Sequence, residues 1–109
     1  MTHLLKQNSL YWFNPDPTKG SEIRKARPCI VVSPDEMNEA HNTVLVVPLT
    51  STIIDWPFRV TINLLDQKSS AACDQLRAVD KSRLRNEIGS LGSKDQAKLY
   101  ATLAVMFQQ

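Results

Sequence analysis

The stretch GSEIRKARPCIVVSP, residues 20–34, joins two different kinds of structure. Its second half runs Pro-Cys-Ile-Val-Val at residues 28–32 without a polar break, which is typical of a strand buried on both faces. We therefore predict that an exposed loop over residues 18–26 passes into a buried strand at the Arg27-Pro28 junction. The first half holds four ionisable side chains within six residues, namely Glu22, Arg24, Lys25 and Arg27.

Short apolar and β-branched runs predict further strands on both sides of this one. An aromatic run, Leu-Tyr-Trp-Phe, stops at a segment with two prolines, and the residues after Pro57 alternate apolar with polar side chains. Pro48, near the end of another run, indicates a sheet edge or a bulge because proline cannot donate to the ladder. The further strands are predicted at residues 10–13, 43–49, 58–62, 70–79 and 86–91.

The last part of the chain carries the clearest helical pattern. Ser93 is predicted as the N-cap of this helix, with Gln96 closing a capping box. The apolar stripe of the helix is expected to pack against the sheet or against a second subunit. Its members, at helical spacing, are Leu99, Leu103, Met106 and Phe107.

Two shorter segments complete the predicted architecture. A helical turn capped by Asp80 is expected at residues 80–84, whereas residues 34–41 fit either one helical turn or a loop. Short strands followed by a covering helix favour a small, strongly bent antiparallel sheet or barrel. The predicted class is therefore mainly β with α (α+β), in a single domain over residues 1–109.

The composition is that of an ordinary globular domain. Of 109 residues, 42% are hydrophobic and 22% charged. No apolar run reaches the ~18 residues of a membrane span and no secretory segment is visible, so we expect a cytoplasmic protein with no membrane contact. Cys29 and Cys73 are then expected to be buried thiols. Neither they nor His3 and His41 have metal-site spacing, so no metal and no cofactor are expected.

Positive charge is concentrated in two parts of the chain, although the formal net charge is only +2. Residues 20–27 and residues 77–87 are each locally basic. Each segment alone fits a solvated loop. The two together would form a phosphate-binding surface if the fold brings them to one face.

Four motifs in a fixed order resemble the MazF/PemK family of bacterial toxins. The resemblance runs from about residue 10 to residue 107. It implies an SH3-like antiparallel β-barrel with a C-terminal α-helix, a homodimer, and metal-independent cleavage of single-stranded RNA, often messenger RNA, at short sequence motifs. The implied partner is an antitoxin whose acidic, flexible C-terminal tail occupies the RNA groove. The motifs are residues 16–22 (DPTKGSE), 27–34 (RPCIVVSP), 47–51 (VPLTS) and 74–80 (DQLRAVD).

The resemblance also implies candidate site residues. The family's catalytic arginine and threonine fall by motif on Arg27 and Thr50, and Glu22 matches an acidic residue implicated in some members. The plasmid-borne branch has an arginine two residues before the aspartate of its Cys-Asp-Gln motif; here that position is Ala72, which argues against Asp74 as a general base. Candidate RNA-binding residues are Lys19, Arg24, Lys25, Ser51, Arg59, Gln75 and Arg77.

The chemistry of RNA cleavage suits these residue types. A catalyst must remove the 2′-proton, protonate the 5′-oxygen and stabilise the charge of the phosphorane. Arg27, at the root of a strand, suits the third task, and Glu22 is a candidate base; an ion pair between the two is the alternative. Thr50 suits binding of a phosphate oxygen or simply a turn. Trp56 suits stacking on a base or capping the core.

Two other functions stay open at this point. Some relatives with this fold poison DNA gyrase, and a non-catalytic SH3-like module that only binds a partner is the other alternative. A gyrase poison needs exposed residues at the end of the C-terminal helix. Residues 104–109 (AVMFQQ) are apolar enough to be buried, which favours the ribonuclease.

Overall fold

The computed structural model describes residues 5–14 and 26–108. These residues form seven β-strands, two α-helices and two 3₁₀ helices. The strands are β1 (Ser9–Phe13), β2 (Arg27–Val31), β3 (Thr43–Thr50), β4 (Arg59–Leu64), β5 (Gln67–Ala72), β6 (Arg77–Asp80) and β7 (Leu84–Ser90). The α-helices are α1 (Asp35–Ala40) and α2 (Ser93–Met106), and the 3₁₀ helices are Cys73–Gln75 and Lys81–Arg83.

The strands form one sheet with the order β4-β5-β3-β2-β1-β7, and β6 pairs with β3 off this path. Every pairing is antiparallel. The sheet curls into a half-barrel, and α2 follows it in the chain. The predicted class, mainly β with a bent antiparallel sheet and a C-terminal helix, is confirmed.

β3 lies inside the sheet and changes partner along its length. One edge pairs with β2, whereas the other pairs first with β6, up to Val46, and then with β5, from Leu49. Val47 and Pro48 pair with neither strand on that second edge, so the missing N–H of proline removes no ladder bond there. Of the two alternatives predicted for Pro48, an edge or a bulge, the edge is therefore wrong, because this residue lies inside the sheet where β3 changes partner.

The prediction of one strand over residues 70–79 is also wrong. β5 ends at Ala72, and the 3₁₀ helix Cys73–Gln75 redirects the chain into β6. The reason is topological: β5 pairs with β4 and one end of β3, whereas β6 pairs with the other end of β3. β5 also begins before the predicted strand, after a turn in which Leu65 and Asp66 have positive φ angles of 50° and 65°, as in a type I′ hairpin.

The core lies on both faces of β2, as its uninterrupted apolar sequence predicts. Ile30 faces a cluster that includes Leu99 and Leu103 of α2. Cys29 and Val31 face a second cluster on the opposite side of the strand. Both cysteines, Cys29 and Cys73, are buried free thiols, as expected.

α2 begins and ends differently from its prediction. Its N-cap is Gly92, Ser93 is the first helical residue, and no side chain caps the helix. The Gln96 side chain instead donates to the carbonyl of Leu91 at 2.8 Å, so the capping box is wrong. At the other end, Phe107 has left the helix and is 71% exposed.

The predicted burial of the C-terminal segment is therefore wrong for the single chain. Val105 points away from the core and is 58% exposed, and Met106 is half-buried. Leu99 and Leu103 alone of the predicted stripe are fully packed. Neither helix that the structure describes has the length and apolar character to cross a membrane.

A buried polar cluster anchors α1, and of the two alternatives for residues 34–41 the structure has the helical one, over Asp35–Ala40. The Ser33 hydroxyl donates to Asn38 Oδ1 and accepts the Leu45 backbone N–H at 3.0 Å. Asn38 Nδ2 donates to the carbonyls of Leu5, at 2.9 Å, and of Ser33, at 3.1 Å. We call this the Ser33–Asn38 network. A smaller cap is confirmed at Asp80, whose Oδ1 accepts the Ser82 N–H at 2.9 Å.

Candidate functional site

A cleft of about 550 Å³ lies where several strands begin or end, and we call it the arginine cleft. Five predicted site residues line it: Arg27, Thr50, Arg59, Gln75 and Arg77. None of the described lining residues is acidic, so the cleft favours an anionic ligand. The remaining lining residues are Phe13, Pro48, Leu49, Thr52, Ile54 and Ala72.

Arg27 enters the cleft from the first residue of β2. Its cross-strand partner on β1 is Phe13, which is fully packed in the core. The backbone of this arginine is therefore held in the sheet while its side chain is exposed. Residues 15–25, which contain Glu22, lie outside the described part of the chain, so the predicted Glu22–Arg27 contact does too.

Thr50 reaches the same cleft from the last residue of β3. Its Oγ1 accepts the backbone N–H of Thr52 at 3.2 Å, so the predicted turn is present. This contact uses the hydroxyl oxygen as an acceptor and leaves the hydroxyl proton available to a ligand oxygen.

Arg59, the first residue of β4, is held by an ion pair. Its Nε lies 2.6 Å from Asp74 Oδ1, and its Nη2 lies 3.2 Å from Oδ2. The hydrogen bonds from Arg59 lower the pKa of Asp74 below its usual range and in turn raise the pKa of the arginine. An ionised, paired Asp74 is a poor general base, in line with the inference from Ala72. Two of the five guanidinium N–H groups face Asp74, so three remain for a ligand.

Trp56 packs against the same arginine from the loop between β3 and β4. The Arg59 Cζ atom lies 4.9 Å from the centroid of the indole ring. The Trp56 side chain is 54% exposed, so it does not cap the core. Of the two roles left open by the sequence, the structure excludes that one.

Arg77 and Gln75 complete the cleft from the segment after β5. Arg77 begins β6, and its Cζ lies 5.4 Å from the centroid of the Phe13 ring. Phe13 thus contacts two of the three cleft arginines, one across the strand pair and one over its ring. No sequence pattern indicated this role for Phe13, because the aromatic run that contains it predicts only a strand.

Other predicted residues are not brought to the cleft. Ser51 is exposed and is not among the lining residues. The second basic segment divides, since Lys81 and Arg85 border a separate depression of about 420 Å³ that also contains Glu87. Lys19, Glu22, Arg24 and Lys25 lie outside the described residues.

The cysteines are not reactive groups of this site. Burial raises the pKa of Cys29 to about 12 and that of Cys73 to about 11, so both thiols stay protonated near neutral pH. Among residues 5–14 and 26–108, no three histidine, cysteine or acidic side chains are grouped so as to hold a metal ion.

Comparisons with known proteins agree with the fold. Residues 6–107 match the family described as PemK-like, MazF-like toxin of type II toxin-antitoxin system. The chain is 30% identical over 98 residues to "Endoribonuclease toxin MazF" of Escherichia coli K12, covering 89% of this chain and 88% of that one. It is 29% identical over 106 residues to "Endoribonuclease MazF9" of Mycobacterium tuberculosis, covering 88% of this chain and 90% of that one.

A solved structure extends the likeness to the whole architecture. An "Endoribonuclease in complex with its cognate antitoxin from Mycobacterial species" superposes with a TM-score of 0.80 at 20% identity, covering 96% of this chain and 98% of that chain. This chain therefore belongs to the PemK-like, MazF-like toxin family of type II toxin-antitoxin systems. The predicted family is confirmed, and the predicted enzyme class is the one that these relatives carry in their names.

Proposed function

We propose that this chain is an endoribonuclease that cleaves single-stranded RNA, in particular messenger RNA, at short sequence motifs and without a metal ion. One observation carries the proposal: Arg27 and Thr50, which lie on different strands, line one cleft that holds two further arginines. The names of the relatives support the enzyme class. The proposed location is the cytoplasm, where messenger RNA is translated.

The proposed reaction is an internal transfer at phosphorus. The 2′-oxygen attacks the adjacent phosphorus and loses its proton to a base, while the bond from phosphorus to the 5′-oxygen breaks and that oxygen gains a proton. The products are a 2′,3′-cyclic phosphate and a 5′-hydroxyl. No oxidant, reductant or external nucleophile is consumed.

The cleft residues suit the charge that develops in this reaction. The Arg27 guanidinium can donate two hydrogen bonds to non-bridging phosphate oxygens, and its strand fixes where the side chain starts. Thr50 can donate its remaining hydroxyl proton to the same phosphate. Arg77 and Gln75 extend the polar surface for flanking nucleotides. Glu22 is the proposed base, and its motif is the only support for this role.

We also propose two partners. A homodimer would cover apolar side chains that a single chain leaves exposed, such as Val105 and Phe107. A cognate antitoxin with an acidic, flexible C-terminal tail fits a cleft whose described lining has positive side chains and no acidic ones. A structural relative in complex with its antitoxin supports this partner.

The test is cleavage of a long RNA by purified protein in EDTA, followed by mapping of both new ends. We expect cyclic-phosphate and 5′-hydroxyl ends, with a rate ~100- to 1,000-fold lower for Arg27→Ala. Arg85→Ala is the matched control, because this exposed arginine borders the separate depression. Intact RNA with the unaltered protein, or equal loss in both variants, would overturn the proposal.

A gyrase-directed function is the second candidate, and one observation favours keeping it. The exposed Val105 and Phe107 remove the sequence argument that the end of α2 is buried. The same protein should therefore be incubated with gyrase and supercoiled DNA. Trapped gyrase-DNA complexes together with intact RNA would support this candidate against the ribonuclease. If the protein neither traps gyrase nor cleaves RNA, the non-catalytic partner-binding module is the function that remains.

A further inference from the structure

The loop between β3 and β4, residues 51–58, is unusually apolar for an exposed segment. Six large apolar side chains are exposed in the described part of the chain, and three of them, Ile53, Trp56 and Phe58, lie in this one loop. Thr52 and Ile54 of the same loop line the arginine cleft. An exposed apolar group beside a functional cleft marks a contact surface more often than a packing defect.

Trp56 is the best-placed of these side chains for binding. Its ring packs against Arg59, which also lines the cleft, so the indole adjoins the cleft through that arginine. With Arg59 against the ring, the 54% exposure of the side chain leaves indole surface open to a ligand.

Asp74 binds the arginine against which this ring packs. The carboxylate holds Arg59 through two hydrogen bonds, and the Arg59 side chain is only 7% exposed. An arginine so held is a rigid support, because its guanidinium can no longer exchange among solvent positions. We call the three residues the Trp56–Arg59–Asp74 stack.

Single-stranded nucleic acid is the ligand that best fits an exposed aromatic ring beside a positively charged cleft. Such sites combine a positive groove, which follows the backbone, with aromatic rings on which bases stack. Here the groove has Arg27, Arg59 and Arg77, and the ring stands at its border. A purely apolar partner would instead have to desolvate charged guanidinium groups next to the ring, which is unfavourable.

We propose that Trp56 is a nucleobase-stacking platform for a nucleotide flanking the scissile phosphate, and that Asp74 is a positioning residue that sets the platform through Arg59. The inference rests on the proposed ribonuclease function and assigns one of its subsites. Stacking requires no particular base, since every base has a π-face. The platform therefore adds affinity and alignment, while the choice of sequence rests with other contacts.

The test uses a short RNA that contains the mapped cleavage site with 2′-O-methyl groups, so that it binds without being cut. Binding is measured by fluorescence anisotropy, for the intact oligonucleotide and for versions that each lack one base. We expect Trp56→Ala to weaken binding of the intact oligonucleotide about tenfold. Removing one specific base should cost the unaltered protein a similar factor, and cost Trp56→Ala almost nothing more.

Three further variants make the result specific. Trp56→Phe keeps an aromatic face and should retain most of the affinity. Asp74→Asn should weaken binding by a smaller factor and show the same dependence on the same base. Leu65→Ala is the matched control, because Leu65 is 66% exposed in the β4–β5 turn and does not line the cleft. The loss in Trp56→Ala should be the same at low and high salt, because stacking neutralises no phosphate.

Several outcomes would overturn the inference. If every base removal affects the unaltered protein and Trp56→Ala equally, no base stacks on this ring. If the loss disappears at high salt, the effect is electrostatic. If RNA binding is unchanged and only binding of an acidic antitoxin-tail peptide falls, the surface serves that peptide. If the unaltered protein cleaves long RNA, the proposed function holds and only the stacking inference has failed. Circular dichroism of each variant excludes misfolding as the cause.

Discussion

Two polar clusters in this protein use their hydrogen bonds for different purposes. In the Ser33–Asn38 network every bonded group is neutral and the two side chains are buried, and the bonds connect α1 to the β-sheet and to Leu5. In the Trp56–Arg59–Asp74 stack the two hydrogen-bonded groups are charged, and the arginine, which lines the cleft, keeps three N–H donors beyond those that bind Asp74. A buried cluster whose polar groups bind one another stabilises the fold. A cluster at a cavity that keeps N–H donors without a protein acceptor can bind a ligand with them.

The largest expected effect separates the two clusters by stability. Asn38→Ala leaves the Leu5 carbonyl and the Ser33 hydroxyl without their buried partner, so we expect the free energy of unfolding to fall by about 3 kcal/mol. Urea denaturation measures this change. Glu39→Ala, an exposed position on the same helix, is the control. A loss below about 1 kcal/mol would mean that the network does not hold α1.

The next effect should appear in activity and not in stability. Thr50→Val removes the hydroxyl that we propose donates to phosphate, so we expect the cleavage rate to fall by about ten- to a hundredfold. Its unfolding free energy should stay within about 0.5 kcal/mol of the unaltered protein. Thr43→Val, at the exposed opposite end of β3, serves as the control. Equal rates in the two variants would remove Thr50 from the site.

A smaller effect concerns the pH dependence of the stack. The folded-state pKa of Asp74 lies below 3.8, so the stabilisation by its ion pair is complete above that pH and is lost as the pH falls further. The pKa of Arg59 is raised, so the pair stays intact from about pH 5 to pH 9. Trp56 emission, obtained as the difference from Trp56→Phe, should be flat over that range. A transition near neutral pH would contradict this description of the stack.

The smallest expected signal compares the two buried thiols, of which one adjoins the stack. Cys29 lies in the core, and Cys73 directly precedes Asp74 of the stack. Because burial raises the pKa of both, Ellman's reagent at about pH 8 should label neither in the folded protein, and both after unfolding in urea. Faster labelling of Cys73, identified with Cys73→Ala, would show that the cleft side of the sheet opens by itself.

The sequence predicts the strands well where the apolar pattern is strong. β2 has no polar residue after its first position, and β3 has none between its terminal threonines. Their uninterrupted apolar runs are therefore enough to predict both strands. β5 was placed wrongly because its first four residues, Gln-Lys-Ser-Ser, carry no apolar signal and form a strand through pairing with β4 and β3. The N-terminus of α2 differs by one residue because Gly92 takes the extended backbone that Ser93 was expected to have.

The candidate site was predictable in part. Motif resemblance placed Arg27, Thr50 and Arg77 together, and the structure has them in one cleft. The pairing of Arg59 with Asp74 was not predictable from the sequence. It follows from the register between β4 and β5, which sets Arg59 opposite Ala72, two residues before Asp74. Neither residue has a local pattern that indicates its partner. The exposure of Phe107 was missed because helical spacing continues to that residue although the helix does not.

The way β3 divides one edge between β6 and β5 has a consequence for biosynthesis. The cleft arginines come from positions 27, 59 and 77, and they meet only when strands from most of the chain have joined β3. A nascent fragment that stops before β6 lacks one wall of the cleft. A ribosome making this protein therefore carries no complete arginine cleft until β6 has been synthesised.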